Sequence, residues 1–588
     1  MRIIFLFCLL FHLNIHGQTF EWAIEGKGVK FGRAFGEFMD KDEAGNIYVA
    51  GYYLDTISIN DKMLIAATPA PGRHTMENFI IKIDKLGNLK WAIRQGKGIE
   101  GICIDNRTGS LYVTGTFSGS VFFGSGNNSD TLQFQENWDG FLARYDTAGN
   151  FIWARHIKGV HSQGLKNVKT DSEGNIFVLG QYTKEIIIGD TILYGDYFPQ
   201  TNGILAKYDK DGNLKWLRLF KAVNDGNINS INCSKLSISG NQIFISGFII
   251  GKILFGTAPD TATLASITAP WGSPSTDIFL GSYDLEGNFL WAEKAGGVIS
   301  DAVGEITSDS DGNVYITGSY DTTATFGRGG NAVTLYGSNI YYSGPNRTAN
   351  FANPFVAKYR SDGSLEWVKN IKRIRGHANI VGGISLDKNS NIFIGGTFHD
   401  TIEIGNKIFT REGPENTANI FVAKLNNKGD LIWLTSTHTY NDVYSEPSAM
   451  SLINDEENNC YLTGMFTGKT GFGNILLETD YYANAFIVKI KDYDTTNQIN
   501  SGSKRNDLNI YPNPTQSSFT IHYHSAQPGM ANIIVRNLTG AVIFETIEQN
   551  HTGTFQKQID LGKNAHGVYF VELLIDRELF VRKLIVSK

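Results

Sequence analysis

The sequence predicts an all-β fold, a seven-bladed β-propeller closed by its own N-terminal strand and followed by a small Ig-like β-sandwich. Three repeated features carry this reading. Seven tryptophans, Trp22, Trp91, Trp153, Trp216, Trp291, Trp367 and Trp433, recur at a spacing of roughly 60 to 75 residues, a period that marks an array of equivalent supersecondary units. All but Trp22 follow a turn of the Asp-x-x-Gly-Asn type, as in Asp84 to Trp91 or Asp209 to Trp216. In phase with them run a strand ending in glycine (Ile47 to Gly51, Leu111 to Gly115, Ile176 to Gly180, Ile243 to Gly247, Val314 to Gly318, Ile392 to Gly396, Cys460 to Gly464) and a Phe-x-x-Lys-Tyr-like segment at Phe79, Phe141, Ile204, Phe279, Phe355, Phe421 and Phe486.

Alternation of β-branched and aromatic residues between Gly, Asn and Asp is the pattern of half-buried antiparallel strands. No stretch sustains an apolar i, i+3, i+4, i+7 pattern of helical length. One unit then holds four strands: A ending near Asp105, B from Leu111 to Phe117, C from Phe141 to Asp146 and D from Phe151 to Arg155. Seven four-stranded units predict seven blades. The last unit supplies A near Met450, B at Cys460 and C at Phe486, but no turn and no tryptophan follow. Its D strand is found at the other terminus, Phe20 to Ile24, so pairing of the chain ends closes the ring and removes exposed sheet edges.

The run Phe-Leu-Ala-Arg-Tyr-Asp-x-x-Gly-Asn-Phe-Ile-Trp-Ala around Phe141, followed by Gly, an Asp-terminated segment and a strand of the Leu-Tyr-Val-Thr-Gly type, resembles the bacterial β-propeller repeats called SBBP repeats. The resemblance covers about Phe20 to Lys491 and departs after strand B, at Phe123-Gly124, Phe255-Gly256, Phe326-Gly327 and Phe472-Gly473. It implies a fold and an extracytoplasmic setting, and no single activity.

The first residues fit that setting. Met1-Arg2, the apolar Ile3 to Leu13 interrupted by Cys8 and His12, and a cleavage point after Gly17 read as a signal peptide over residues 1–17. Its apolar core is too short to span a bilayer, and no transmembrane segment is predicted. The propeller occupies residues 18–492 and a polar linker residues 493–507. Residues 508–588 read as a β-sandwich of about 80 residues, an ordinary size for an autonomous domain.

That last segment resembles the type A C-terminal sorting domain of the type IX secretion system of Bacteroidota. Tyr511-Pro512-Asn513-Pro514, the Gly540 turn, the Gly567-Val568-Tyr569 strand and the basic, apolar ending with Lys583 stand in that family's order. The resemblance implies two partners for residues 508–588: the type IX secretion machinery and a gingipain-like sortase. The sortase removes the domain, and the chain is then attached to surface lipopolysaccharide or released.

The net charge is −6 and Lys and Arg are dispersed, so a nucleic-acid footprint is not expected. Beyond the apolar start, the cysteines are Cys103, Cys233 and Cys460, an odd number spread over three units. They read either as a reactive or intermolecular thiol or as small buried apolar residues, and no disulfide is predicted. Asp209-Lys210-Asp211-Gly212-Asn213 and Asp309-Ser310-Asp311-Gly312-Asn313 begin like calcium loops but lack the bidentate Glu at the twelfth position. Gly-Asn suits a hairpin turn in the left-handed conformation, so turn chemistry is expected there. No cofactor is predicted, calcium at these turns being the one metal considered.

Asp-Thr followed by a small or apolar residue recurs and resembles the acceptor of periplasmic O-glycosylation in Bacteroidota, with Thr56, Thr131, Thr191, Thr261, Thr322 and Thr401 as candidates. A repeated Asx turn just after strand B is the alternative. Catalytic signatures such as His-Glu-x-x-His or Gly-x-Ser-x-Gly do not occur, and Gly464 to Thr470 is one residue short of a phosphate-binding loop.

In such a blade the A-to-B and C-to-D turns share one face, and the B-to-C and D-to-A connections share the other. The long insertions fall on the second face, where binding on a rigid scaffold usually resides. Their aromatics, Trp138, Trp271, Tyr194, Tyr197, Phe198, Tyr341, Tyr342, Tyr481 and Tyr482, are candidates for contacting a glycan or protein ligand, or they seal each insertion against its own blade. The expected function is a non-catalytic binding or interaction module. The alternative is a secreted polysaccharide hydrolase or lyase, which should gather carboxylates at one point of that face or of the central channel. A structural surface-layer component is the third reading.

Overall fold

The computed structural model describes residues 18–587 except 30–31, 67–73, 126, 135–136, 196–199, 269–273, 338–352, 376–379, 406, 412, 415–416, 441–445, 480–481, 493–508, 526–528, 538–540, 551–552, 563–564 and 576–577. The signal peptide and linker read from the sequence lie outside these residues. The chain divides into two compact units, Met1–Asp494 and Thr495–Lys588.

The all-β class holds. Among the described residues the first unit contains seven four-stranded antiparallel arrays, each with strands in the spatial order A-B-C-D. Six run consecutively, over residues 34–95, 99–158, 163–222, 230–295, 302–375 and 380–436. The seventh takes A, B and C from Ser448–Asn454, Cys460–Phe466 and Asn484–Asp492, and its fourth strand is Gln18–Gly28, paired antiparallel to Asn484–Asp492. We number the arrays 1 to 7 in the order of their A strands. Each A strand touches the A strands of neighbouring arrays, and Ala34–Lys41 of array 1 touches Ser448–Asn454 of array 7.

The repeated sequence features form one joint between arrays. Each tryptophan sits on its D strand beside an aromatic of its own B strand, as Trp91 beside Tyr48 (ring centroids 5.9 Å apart) and Trp291 beside Phe244 (6.2 Å). For all but Trp433, the other side covers the C-to-D turn of the next array. Trp91 Nε1 donates to Thr147 O (3.0 Å), Trp216 to Leu285 O (3.2 Å), Trp291 to Ser361 O (2.8 Å) and Trp367 to Asn427 O (3.2 Å). Trp22, from the N-terminal strand, makes the same bond to Lys85 O of array 1 at 3.3 Å. Trp153 and Trp433 depart from this: Trp153 makes no such bond, with Arg144 donating to the equivalent carbonyl, Lys210 O, and Trp433 Nε1 donates to the Asp492 carboxylate at 3.0 Å.

The turn glycine is required twice over. Gly363 has φ +84°, and a Cβ there would lie 2.6 Å from Trp291 Cδ2. A side chain would meet both the left-handed backbone penalty and the indole face. The turn aspartates explain the rest of the motif. Asp84 Oδ1 accepts the N–H groups of Leu86 and Asn88, and Asp84 Oδ2 accepts the Asn88 amide; Asp146, Asp209, Asp284 and Asp309 repeat the pattern. These carboxylates serve as turn caps.

The lysine of the Phe-x-x-Lys-Tyr segment has a matching role. Lys82 Nζ lies 4.8 Å from the Tyr48 ring centroid and 3.2 Å from Asp42 of the A-to-B turn, and Lys424 repeats this with Phe393 (4.9 Å) and Asp387 (3.2 Å). A cation held between a carboxylate and an aromatic face can be buried at low cost.

The insertions after strand B are more regular than the sequence suggests. Each begins with a short β-hairpin: Thr56–Ile59 with Lys62–Ile65, Val121–Ser125 with Asn128–Leu132, Glu185–Ile188 with Thr191–Tyr194, and so on to Lys469–Phe472 with Ile475–Glu478. Several of these pair with the far end of the preceding array's D strand, as Ile57–Ile59 with Gly26–Gly28, Ile187–Ile188 with Ile157–Lys158 and Thr401–Ile404 with the end of Leu365–Arg375. The hairpin therefore straps one array to its neighbour on the face opposite the tryptophan joint.

The three cysteines are buried free thiols. Burial pushes the Cys103 thiol up to about 12, so it behaves as a small apolar side chain.

The second compact unit holds a three-stranded sheet (Asn509–Tyr511, Ser518–Ser525, Gly553–Asp560) and a four-stranded sheet (Val542–Asn550, Gly529–Asn537, Gly567–Ile575, Glu578–Val586). They share one apolar core with Phe519, Ile521, Ile533, Val571 and Leu584.

Candidate functional site

Of the aromatics proposed for recognition, Trp271, Tyr197, Phe198, Tyr341, Tyr342 and Tyr481 lie outside the described residues. Trp138 and Tyr194 are 48% and 73% exposed and stand on different arrays, Trp138 against Ser162 and Tyr194 at the end of a strapping hairpin. Neither lines the cavity beside array 1 or the one lined by the A strands. Tyr482 does: with Arg33, Phe35, Tyr52, Leu54, His74 and Met76 it lines a cavity of about 460 Å³ on the face that carries the insertions.

This cavity is built by a departure from the repeat. Every A strand contains a β-bulge at the same place, between Gly36 and Phe38 in array 1 and between Leu165 and Asn167 in array 3, for example. The second residue pair before the bulge joins strands A and B at the insertion-bearing end. In arrays 3 to 7 that pair is Gly164–Gln181, Asn232–Phe248, Ala302–Ser319, Ile380–Thr397 and Ser448–Met465. In array 2 Gly98 and Thr116 stand there. Array 1 has Phe35 and Tyr52, with rings stacked at 4.5 Å and 16°. The other six arrays carry at most one large apolar side chain at this pair, Phe248, Ile380 or Met465, so two large half-buried aromatics are not needed for the architecture.

Neighbouring groups add charge. Arg33 is exposed, lies 5.8 Å from the Tyr482 ring centroid and forms no ion pair with a described carboxylate. His74 is held by Asp55 at 2.5 Å, and the same carboxylate accepts Thr75 N–H at 2.8 Å. Burial, then the Glu37 carboxylate, raise the Tyr52 hydroxyl above its usual range, while Arg33 opposes the shift.

Glu37, whose charge acts on Tyr52, lines a larger cavity of about 720 Å³ bordered by A strands of all seven arrays. It is the bulge residue of array 1. The equivalent residues are Glu100 and Lys166 in arrays 2 and 3, paired at 2.6 Å, while Lys235 and Glu305 pair at 2.9 Å beside the bulges of arrays 4 and 5. Glu37 pairs with no described cation, and burial together with the nearby Glu100 charge pushes its carboxyl up to about 7.

A second carboxylate group lies between arrays 4 and 5. Asp277 is held by Lys294 at 2.8 Å, and burial raises the Asp301 carboxyl to about 8, with Asp277 and Asp321 adding to the shift. Asp277 stands where four other arrays carry Asn202, Asn353, Asn419 or Asn484 and two carry Glu77 or Asp139; the Asn202 carbonyl accepts Ala222 N–H of its D strand at 3.0 Å. Lys294 compensates the exchange of amide for carboxylate. No group of three or more His, Cys, Asp or Glu among the described residues is arranged to hold a metal ion.

The Asp-Thr positions fall into two sets, which the sequence did not separate. Thr56, Thr322 and Thr401 follow strand B directly, and Thr401 is 7% exposed with its hydroxyl bonded to Asp400. Thr131, Thr191 and Thr261, in contrast, are exposed in or near the hairpin turns. In the tail, Asn513 of the Tyr-Pro-Asn-Pro segment bonds the last strand twice, its amide to Lys583 O at 2.6 Å and its carbonyl to Ile585 N–H at 2.9 Å. Tyr511 and Lys583 are exposed, Gly567 opens a strand at φ +113°, and Gly540 lies outside the described residues. The opening and basic ending of the segment are therefore one surface feature.

Residues 509–587 match the family described as secretion system C-terminal sorting domain. Such a tail implies export by type IX secretion through interaction with that machinery, and it is consistent with a secreted or cell-surface location. An uncharacterized WD repeat-containing protein of Acanthamoeba polyphaga mimivirus is 27% identical over 243 residues, 38% of this chain. The chain spans only 17% of that relative's length. The WD40 β-propeller domain of Doa1 has a TM-score of 0.36 at 9% identity, with 82% of this chain and 98% of that one covered. A protein of unknown function from Dyadobacter fermentans has a TM-score of 0.34 at 9% identity, covering 81% and 100%. No helix among the described residues is long and apolar enough to cross a membrane.

Proposed function

We propose that this chain is a secreted or cell-surface binding module, with its seven arrays forming a propeller of seven blades closed by the N-terminal strand. In this reading residues 18–492 bind, and the tail from residue 508 serves export and is then removed by a sortase. The recognition site is the mouth of array 1, made of Arg33, Phe35, Tyr52 and Tyr482. The observation that carries it is the stacked Phe35–Tyr52 pair where each of the other arrays has at most one large apolar side chain. In an internal repeat, fold requirements act on every copy alike, so a half-buried aromatic pair present in one copy alone points to a use specific to that copy.

A peptide and glycan array probed with the whole chain tests this. The Phe35→Ser, Tyr52→Met double variant gives array 1 the pair found in array 7 and is expected to lose at least tenfold in array signal. Retained signal in a folded double variant would refute the site. A hydrolase is the second reading, favoured by Glu37, whose carboxyl near 7 beside Glu100 has the character of a general acid. Under that reading Glu37→Gln abolishes turnover of a captured polysaccharide and leaves capture intact.

A further inference from the structure

The lining of the array 1 mouth has a chemical bias. Phe35, Tyr52, Leu54, Met76 and Tyr482 offer aromatic and apolar area. The polar groups are few: the Arg33 guanidinium, the His74 ring and two phenol hydroxyls. A sugar ring brings several hydroxyls, each of which must recover a hydrogen bond on leaving water, and this lining cannot supply that many. An apolar or aromatic group needs no such partners.

The cations are the second element. Arg33 forms no ion pair with a described carboxylate, and it leans on the Tyr482 ring at the rim of the cavity. Asp55, which neighbours this lining, is engaged by His74 and by Thr75 N–H. A planar guanidinium beside aromatic rings, with no acidic partner among the described residues, matches a carboxylate whose bearer stacks on those rings.

From this lining, and resting on the binding reading above, we propose that the array 1 mouth recognises an aromatic or bulky apolar group that carries a carboxylate on the adjacent carbon. The C-terminal residue of a peptide and a free or N-acylated aromatic amino acid share this chemistry. The ring lies against Phe35 and Tyr52, and the carboxylate meets Arg33.

The test is titration calorimetry of the whole chain with N-acetyl-phenylalanine, its carboxamide, and a pentapeptide ending in Phe with a free or an amidated terminus. The acids are expected to bind at least about tenfold more tightly than the amides, because only the acids engage the guanidinium. In Arg33→Gln the acid should fall to the level of the amide. Arg33 is exposed, so this variant leaves the fold intact. Tighter binding of the pentapeptide acid than of N-acetyl-phenylalanine assigns the source as a peptide terminus; equal binding assigns the free acid. Equal affinity of acid and amide, or no effect of Arg33→Gln, overturns the carboxylate assignment while leaving the aromatic mouth standing. Failure of every probe on the wild-type chain, with array binding still lost in the Phe35→Ser, Tyr52→Met variant, overturns this ligand class alone.

Discussion

Replacing Trp291 by alanine is expected to cost about 3–5 kcal/mol of stability, the range for deleting a large buried aromatic. Trp291 is 8% exposed and packs between Phe244 of its own array and Gly363 of the next, with its N–H bonded to Ser361 O at 2.8 Å. Truncation would open a cavity between two sheets and orphan a turn carbonyl. Gly363→Ala strikes the same joint from the other side and should cost about 2 kcal/mol or more, since the new Cβ must enter the left-handed region and displace the indole. Trp153→Ala should cost less than Trp291→Ala, because the Trp153 N–H makes no hydrogen bond to the neighbouring turn. Urea denaturation of the three variants against wild type checks the order, and equal midpoints for Trp153→Ala and Trp291→Ala would contradict it.

Removing residues 18–28 is expected to have a larger effect, loss of the monomeric folded state. Gln18–Gly28 is the D strand of array 7, and it also places Trp22 over the array 1 turn and pairs with the Thr56–Ile59 hairpin strand. Without it Asn484–Asp492 becomes an unpaired apolar edge, a template for association with other chains. Size-exclusion chromatography should show oligomers, and a synthetic 18–28 peptide added during refolding should restore the monomer. A truncated chain that stays monomeric and resists proteolysis would contradict a ring joined through its termini.

The fold was legible because its signals repeat. Trp91 and Gly149, 58 positions apart, meet as parts of one joint, and the same joint recurs wherever the same residues recur. The strapping hairpins were not legible. Thr56–Ile59 and Lys62–Ile65 are four residues each, too short for alternation to stand out, and their pairing partners lie on another array. The mouth of array 1 was missed for a different reason. Phe35 and Tyr52 look like ordinary strand residues when read along the chain, and Tyr52 follows Gly51 just as Thr116 follows Gly115. Only setting the copies in register shows that Tyr52 stands where other arrays have Thr116, Gln181, Phe248, Ser319, Thr397 or Met465. Reading for exposed aromatics in long insertions found Tyr482 at the same mouth and also Trp138 and Tyr194, which lie away from it.

The central claim is that the copy departing from the repeat is the one that binds. A crystallographic fragment screen of the whole chain, with acids, amines, sugars and neutral aromatics soaked at equal concentration, tests it without presuming a ligand. Fragments are expected to gather against Phe35, Tyr52 and Tyr482 and to leave the equivalent mouths of arrays 2 to 7 empty. Fragments spread evenly over all seven mouths, or collected only in the central cavity around Glu37, would contradict it.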